Sequence, residues 1–177
     1  VLSKASIQEN PNAKAIDYQD VWAPPESLAY YNIYMPKYNP NGKSIVFSFF
    51  DDETRGIATI QENGRDFKII SEKGIDARDP TWLDNETIVY SANKNGICNL
   101  FKKHLPTGKE EPLTNVLGGA FNAVVDSNKI FYIGYDADGF SLYRMTEVPE
   151  LICETKPEDA IIDILCVESG IYVVTET

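Results

Sequence analysis

Residues 36–48 read Pro-Lys-Tyr-Asn-Pro-Asn-Gly-Lys-Ser-Ile-Val-Phe-Ser, and their pattern is the strongest indication of the fold. It begins with a short strand that ends at Tyr38. The next five residues, Asn-Pro-Asn-Gly-Lys, suit a tight turn, because asparagine and glycine tolerate positive φ. The near-continuous apolar run at 44–48 then predicts a strand that is covered on both faces. The stretch therefore predicts two antiparallel strands joined by a turn.

The apolar run recurs along the chain. Aligned on one isoleucine, the copies place Ile45, Ile88, Ile130 and Ile171 at steps of 43, 42 and 41 residues. A period of about 40–45 residues is typical of the four-stranded blades of a β-propeller. Each copy has a first strand, a turn, the apolar second strand, a polar loop, a third strand, a hairpin turn and an outer strand. No long segment has helical periodicity, so we predict an all-β propeller of four-stranded antiparallel blades.

The repeat also predicts where the blades lie. We expect blades at 34–78, 79–120 and 121–160, and the start of a further blade at 161–177. Their first strands are predicted at 34–38, 79–83, 121–125 and 161–165, and their outer strands at 66–71, 111–114 and 151–154. Residues 1–33 form an N-terminal extension that could be the tail of a preceding blade, a linker or a disordered arm.

The number of copies predicts an incomplete propeller. Closed propellers typically hold about four to eight blades, and this chain offers three full copies and part of a fourth. A free sheet edge at the end of the chain would be a template for pairing with another strand. We therefore expect the remaining blades to come from missing sequence or from another chain.

The chain is acidic, with 27 Asp plus Glu against 16 Lys plus Arg and a net charge of −11. A surface of this sign repels phosphate, which argues against nucleic acid and anionic membranes as partners. The alternative is that the charge only keeps the protein soluble. No apolar run is long enough to span a bilayer, so we expect no membrane insertion by this segment. The three cysteines, an odd number without a C-x-x-C, are expected to be buried free thiols.

Groups for catalysis or metal binding are sparse. The one histidine, His104, lies at the end of a strand, and no G-x-S-x-G elbow is present. Residues 136–139 (Asp-Ala-Asp-Gly) begin like a calcium loop, but the terminal Glu is missing and Asp-Gly is typical of a hairpin turn. One histidine and three scattered cysteines do not make a zinc site, and no nucleotide-binding glycine motif occurs. We therefore expect no catalytic residue, no metal and no cofactor.

The loops that join second to third strands, and those that join blades, are expected on one face of a propeller. They carry the candidate binding residues Asp51, Asp52, Glu53, Arg55, Asp76, Arg78, Asp79, Asp136 and Asp138. Converging acidic loops would attract a cationic ligand or a basic segment of a partner. The alternative is that these residues are ordinary solvated loop tips, since loops are polar in any case.

The opening stretch also resembles a known signature. Residues 36–47 are similar to the P-x-[WY]-S-P-D-G-K-x-I-[AV]-F signature of the TolB-type (PD40, WD40-like) repeats, with Asn39 and Asn41 where the family has Ser and Asp. Residues 79–82 repeat its opening, and residues 111–115 resemble the close of such a blade. Residues 115–121 also resemble a stretch of envelope proteins that carry such propellers. The resemblance implies a disc of antiparallel blades around a channel, a bacterial periplasmic or cell-envelope setting, and work through protein contacts.

Three functions follow from these observations. The first, which we predict, is a non-catalytic protein-binding or scaffolding propeller within a larger bacterial cell-envelope protein. The second is the propeller portion of a multi-domain, prolyl-oligopeptidase-like hydrolase, which would gate or recruit substrate for a separate hydrolase domain. The third is a carbohydrate- or peptide-binding disc that uses exposed aromatic residues such as Tyr30, Tyr31 and Tyr135.

Overall fold

A computed structural model of the chain describes residues 2–5, 18–24, 26, 31–126, 129–146, 161–167 and 170–175. Within these ranges the chain forms fifteen β-strands and no α-helix. The first two strands are β1 (Leu2–Ala5) and β2 (Tyr18–Trp22). The first blade follows, with β3 (Asn32–Tyr38), β4 (Ser44–Phe50), β5 (Arg55–Gln61) and β6 (Lys68–Ile69).

The second blade contains β7 (Asp76–Trp82), β8 (Thr87–Asn93), β9 (Cys98–His104) and β10 (Glu110–Pro112). The third blade contains β11 (Gly119–Asp126), β12 (Lys129–Asp136) and β13 (Gly139–Thr146). The last two strands are β14 (Ile161–Val167) and β15 (Gly170–Thr175).

Each sheet is an antiparallel meander, in which strands pair with their neighbours in sequence. The first two blades are four-stranded, with orders β3-β4-β5-β6 and β7-β8-β9-β10, and the third pairs β11, β12 and β13. The prediction of an all-β fold with four-stranded antiparallel blades is therefore confirmed. The outer strand predicted for the third blade, at 151–154, lies outside the described residues.

The second strand of a blade is buried on both faces, as its apolar sequence predicts. Five consecutive residues of β4 and six of β8 are buried. Val46 and Ile57 of the first blade form one cluster with Ala77 and Ile88 of the second. A further cluster around Leu100 joins the second blade to the third. Because each sheet buries apolar side chains against the next one, stacking of the blades supplies the core.

The innermost strands of the three blades carry a β-bulge at equivalent positions. The register shifts surround Met35 in β3, Asp79 in β7 and Asn122 in β11. These residues have φ values of 50°, 55° and 51°, in the left-handed region that residues other than glycine rarely adopt. A bulge inserts one extra residue and bends the strand, so all three inner strands bend at the same level.

The bulges account for a difference between the observed and the predicted strand starts. β3, β7 and β11 begin at residues 32, 76 and 119, whereas the sequence predicts starts at 34, 79 and 121. Met35 and Asp79 each precede a proline, and such positions suggest that a strand begins or ends there. In the structure the pairing continues across the bulge on both sides, so the first residues of each inner strand belong to the same sheet.

The outer strands are shorter than predicted. β6 has two residues and β10 has three, against six and four in the predicted ranges 66–71 and 111–114. Both residues of β6 are exposed. Outer strands have a neighbour on one side alone, so short pairing leaves little unpaired backbone at the edge of the sheet.

The N-terminal extension contributes to the folded body. β1 pairs with β2, and the Trp22 ring at the end of β2 stacks on Phe67, with ring centroids 4.9 Å apart. Trp22 and Val21 pack against the buried cluster of the first blade that contains Phe47. The pairs β1–β2 and β14–β15 are separate sheets, so among the described strands the two ends of the chain do not pair. This agrees with the prediction of a partial propeller.

Hydrogen bonds also connect the first two blades. The Trp82 indole Nε1–H donates to the Lys37 carbonyl oxygen at 2.9 Å, and the Asn39 side-chain amide donates to the Asn85 carbonyl oxygen at 3.3 Å. Buried polar groups that cross an interface in this way fix the relative position of the two sheets, because an unmade bond there leaves a desolvated polar atom.

A polar network closes the outer side of the second blade. The carboxylate of Glu110 in β10 accepts hydrogen bonds from the Tyr90 hydroxyl and the Lys94 ammonium group. The Lys103 Nζ atom lies 3.4 Å from the same carboxylate. The short outer strand is therefore held to β8 and β9 by side chains as well as by its backbone.

Candidate functional site

Three consecutive blades together form a cleft of about 830 Å³ on the described surface. Its walls come from β3, β4 and β5 of the first blade, from β7 of the second and from β11 of the third. The loop between β4 and β5 borders it, so the cleft opens on the face where the sequence predicts the binding loops. The three bulge residues of the inner strands, Met35, Asp79 and Asn122, all line it.

Five of the nine candidate binding residues line the cleft, and they are Glu53, Arg55, Asp76, Arg78 and Asp79. The structure places most of these five in strands: Asp76, Arg78 and Asp79 lie in β7, and Arg55 begins β5. Strand positions hold side chains more rigidly than loop tips do, so the arrangement of these charges is set by the sheet.

Arg55 and Asp76 form a bidentate ion pair that joins the first and second blades. Arg55 Nε and Nη2 donate to the two carboxylate oxygens of Asp76 at 2.7 Å each. The hydrogen bond to Asp76 raises the pKa of the Arg55 guanidinium above its ordinary value. The side chains are 41% and 29% exposed, so the pair lies at the mouth of the cleft. Each charge is matched by the other, and neither is free for a ligand in this state.

Arg78 is directed toward the third blade. Its Nη2 donates to the sulfur of the buried Cys98 at 3.2 Å, and its guanidinium carbon lies 4.8 Å from the centre of the Phe121 ring. The Nε atom is covered and has no hydrogen-bond partner within the described part of the chain. Stacking on the aromatic face holds the guanidinium plane in place. Arg78 therefore contributes positive charge at the junction of the second and third blades.

Two acidic side chains of the cleft, unlike that of Asp76, do not take part in a hydrogen-bonded ion pair. Within the described ranges, the carboxylates of Glu53 and Asp79 accept no hydrogen bond. Lys37 and Arg55 interact with Asp79 electrostatically; burial lowers the pKa of Lys37, and the charge of Asp79 acts in the opposite direction. The backbone N–H of Asp79 donates to the Ser48 Oγ of the first blade at 3.1 Å, which fixes the bulge.

The other four candidate residues do not line the cleft. Asp51 accepts hydrogen bonds from the backbone N–H groups of Glu53 and Thr54 and so shapes the loop between β4 and β5. Asp52, in the same loop, is exposed and has a φ of 72°. Asp136 and Asp138 lie at the turn between β12 and β13.

The Asp136 carboxylate has a structural role in its turn. It accepts hydrogen bonds from the Tyr143 hydroxyl at 2.6 Å and from the Asp138 backbone N–H at 2.9 Å. The hydrogen bond from Tyr143 lowers the pKa of the Asp136 carboxyl. These bonds use the carboxylate in the hairpin itself, which is the turn that the Asp-Gly pair predicts.

The uncharged residues of the cleft are not among the candidates that the sequence predicts. Tyr34, Met35 and Phe50 form its apolar wall, and Asn122 lines it on the third blade. The signal that could have found the bulge residues is the repeat itself, because 35, 79 and 122 are separated by 44 and 43 residues. This spacing is not found by looking for charged loop residues, because the three residues occupy equivalent positions in the repeat but differ in chemical type.

The single histidine of the chain is not among the residues that line this cleft. His104 lies in the second blade near the turn between its outer strands, where its Nδ1 is 2.8 Å from Thr107 Oγ1 and its Nε2 is 3.6 Å from the Glu86 carboxylate. No group of three or more His, Cys, Asp or Glu side chains with the spacing of a metal site occurs in the described part of the chain. The same residues contain no helix that could span a membrane.

Comparisons with known proteins identify the fold. No protein-family model and no curated protein matches the chain. Among solved structures, the putative TolB from Agrobacterium tumefaciens is 15% identical with a TM-score of 0.59, over 66% of this chain and 46% of that protein. TolB from Acinetobacter baumannii is 14% identical with a TM-score of 0.57, over 84% of this chain and 33% of that protein.

A puromycin-hydrolyzing peptidase from Mycobacterium tuberculosis is similar to the same degree: 14% identity, a TM-score of 0.59, and coverage of 77% of this chain and 22% of that protein. The chain thus spans less than half the length of each of these three proteins. Structural similarity at sequence identities this low shows a shared fold and does not show a shared function. The repeated meanders, the stacked core and these similarities together show that the chain has the fold of a TolB-like β-propeller and forms part of one.

Proposed function

We propose that this chain is a non-catalytic, protein-binding portion of a β-propeller, and that a cationic segment of its partner binds in the cleft between the three blades. The observation that carries the proposal is the composition of the cleft. It combines an apolar wall with the carboxylates of Glu53 and Asp79, which accept no hydrogen bond in the described part of the chain. An apolar pocket with a few placed polar groups is the usual form of a binding site.

The charges of the cleft favour a basic ligand. The Arg55–Asp76 pair is internally neutral, so among the residues that line the cleft Glu53, Asp79 and Arg78 leave two negative charges against one positive. Lys37 lies outside this lining and partly offsets the charge of Asp79. Arg78 is turned toward Phe121 and Cys98. The whole chain carries −11, which adds a long-range attraction for cations that falls with ionic strength.

The experiment measures the binding of a labelled peptide of lysine and leucine residues by fluorescence anisotropy, with a glutamate and leucine peptide as the reference. We expect the lysine peptide to bind more tightly, and to lose affinity as salt is added. The double substitution Glu53→Gln plus Asp79→Asn should weaken binding about tenfold, because each of two partly shielded charge interactions contributes about 0.7 kcal/mol.

The matched control is Asp52→Asn plus Asp138→Asn, which removes the same number of charges from residues outside the cleft. It should leave the affinity within about twofold of the unchanged protein, since exposed charges at a distance are screened. If the two double variants weaken binding equally, the cleft is not the site and the general acidity of the chain explains the attraction. If the lysine and glutamate peptides bind alike, the proposal of a cationic partner is wrong.

The resemblance to TolB-type repeats supports a bacterial envelope setting for this function. We therefore propose that the parent protein works in the periplasm or at the cell envelope. Fractionation of cells that express the native protein, followed by immunodetection, tests this. Recovery in the cytoplasmic fraction would contradict it.

A second candidate function rests on the similarity to the puromycin-hydrolyzing peptidase. In this reading the chain is the propeller of a larger hydrolase, and the cleft recruits or gates a substrate for a separate catalytic domain. A fluorophosphonate probe applied to the native full-length protein distinguishes the two functions. Covalent labelling of a serine outside residues 1–177 would favour the hydrolase, and the absence of labelling would favour the binding protein.

A further inference from the structure

The three bulge residues that line the cleft form a set that the repeat generates. Met35, Asp79 and Asn122 occupy the same register position in the inner strands of successive blades, with φ values that differ by no more than 5°. All three lie in the wall of the cleft. Each of the three blades therefore contributes to the cleft one residue from the bulge of its inner strand.

The conformation at these positions is unfavourable for ordinary side chains. Non-glycine residues at positive φ are strained, and such strain is found most often where a structure serves binding or catalysis. Asparagine and aspartate tolerate this region better than other residues, whereas methionine has no such tolerance. Glycine would remove the strain at all three positions, yet each position carries a side chain that lines the cleft. The backbone conformation would favour glycine at these positions, so we attribute the residues found there to the properties of their side chains.

The chemistry of the three side chains differs from blade to blade. Met35 is 46% exposed and lies in the cleft wall with Tyr34 and Phe50, so the first blade offers an apolar contact. Asp79 offers a carboxylate that accepts no hydrogen bond in the described ranges. Asn122 is exposed and offers an amide. The ion pair at the mouth of the cleft leaves these groups to discriminate between ligands.

From this arrangement we infer that Met35, Asp79 and Asn122 are the specificity-determining residues of the cleft, and that they recognise an extended peptide segment with an apolar, a basic and a hydrogen-bonding side chain in that order across the blades. The inference rests on the proposed function. An extended chain suits the site because it advances about 3.3 Å per residue and can pass from one blade to the next.

The test moves the negative charge by one blade without changing the net charge. In the double variant Asp79→Asn plus Asn122→Asp the carboxylate passes from the second blade to the third, and each new residue tolerates positive φ. The probes are acetylated, amidated peptides of glycine and serine with one leucine at a fixed position and one lysine placed at each position on either side of it. Binding is measured for every leucine–lysine separation with the native protein, the double variant, and the single variants Asp79→Asn, Met35→Asn and Glu53→Gln.

We expect the native protein to prefer one separation and Asp79→Asn to lose about threefold in affinity for that peptide. The double variant should recover binding to peptides in which lysine lies further from leucine, because Asn122 is one blade further from Met35 than Asp79 is. Met35→Asn should weaken the dependence on leucine and leave the preferred position of lysine unchanged.

Three results would overturn the inference. A double variant with the native preference would show that the position of the charge does not matter. Lysine peptides that bind the native protein and Asp79→Asn equally, but lose affinity in Glu53→Gln, would reject the bulge residues and leave the proposed function standing. Native protein that binds none of the peptides would reject this recognition, whereas the proposed function is judged by its own salt and control measurements.

Discussion

Replacement of Gly64 by alanine would test how the strand before the first blade packs against it. Gly64 lies in the turn between β5 and β6 with a φ of 77°. A Cβ atom there would lie 2.3 Å from the backbone oxygen of Val21. Because that atom belongs to the backbone and not to the tip of a flexible side chain, either β2 or the turn must move. The neighbouring Trp22 ring, which stacks on Phe67, would move with it.

Gly42 supplies a matched control for this substitution. It has a φ of 72° in the turn between β3 and β4, and a Cβ atom built there meets nothing within 4 Å. Both substitutions place an L side chain in the left-handed region, which costs about 1 kcal/mol. The contact with Val21 adds an overpacking cost of about 1–3 kcal/mol at Gly64 alone. We therefore expect the free energy of unfolding to fall by about 1 kcal/mol for Gly42→Ala and by about 2–4 kcal/mol for Gly64→Ala.

Urea unfolding followed by tryptophan fluorescence measures both losses, and the chain contains two tryptophans. Gly64→Ala should also change the native emission spectrum, because Trp22 lies beside the altered contact, whereas Gly42→Ala should not. Equal losses for the two variants, with equal spectra, would refute the reasoning. That result would mean that β2 is not packed on this turn.

Three other predictions concern bonds within and between the blades. Asp76→Asn should lower the free energy of unfolding by about 1 kcal/mol in low salt and by less in high salt, because it breaks a half-exposed bidentate pair; a loss that is unchanged by salt would contradict this. Burial raises the pKa of Glu110, but hydrogen bonds from its lysine and tyrosine partners outweigh this and lower it below 4.5. The stabilisation is therefore complete above about pH 4.5 and is lost as pH falls through the lowered pKa, so Glu110→Gln should be destabilising at pH 7 and progressively less so as the pH falls below about 4.5; a difference that does not depend on pH would exclude this network. Trp82→Phe should cost about 1–2 kcal/mol in thermal unfolding, because it leaves the Lys37 carbonyl oxygen without its donor, and a negligible shift would show that water replaces the indole.

The architecture was predictable because it is repeated. The spacing of Ile45, Ile88, Ile130 and Ile171 sets the length of a blade, and the unbroken apolar strands can be satisfied only by cover on both faces. The starts of the inner strands were harder to predict, because Met35 and Asp79 precede prolines and resemble strand ends. A bulge is a feature of pairing between two strands, and neither strand shows it alone.

The candidate site was predictable in part. Nine charged residues near the predicted loops are candidates from the sequence, and five of them line the cleft. Asp136 was selected in the same way, but its carboxylate binds Tyr143 across the β12–β13 hairpin. Whether an acidic side chain faces a ligand or closes its own turn depends on the partners that folding brings within hydrogen-bond distance. Charge and position in the sequence carry no information about those partners.

Local patterns that recur about every 42 residues specify strand order, blade length and the apolar second strands. The composition of the chain specifies its net negative charge. The tertiary structure alone decided which side chains share a cleft, since Met35, Asp79 and Asn122 come from three separate blades. It also decided that Arg55 and Asp76 neutralise each other. The physical reason is that a propeller brings side chains together by stacking sheets, and the distance between stacked residues depends on bulges and packing and not on their separation along the chain.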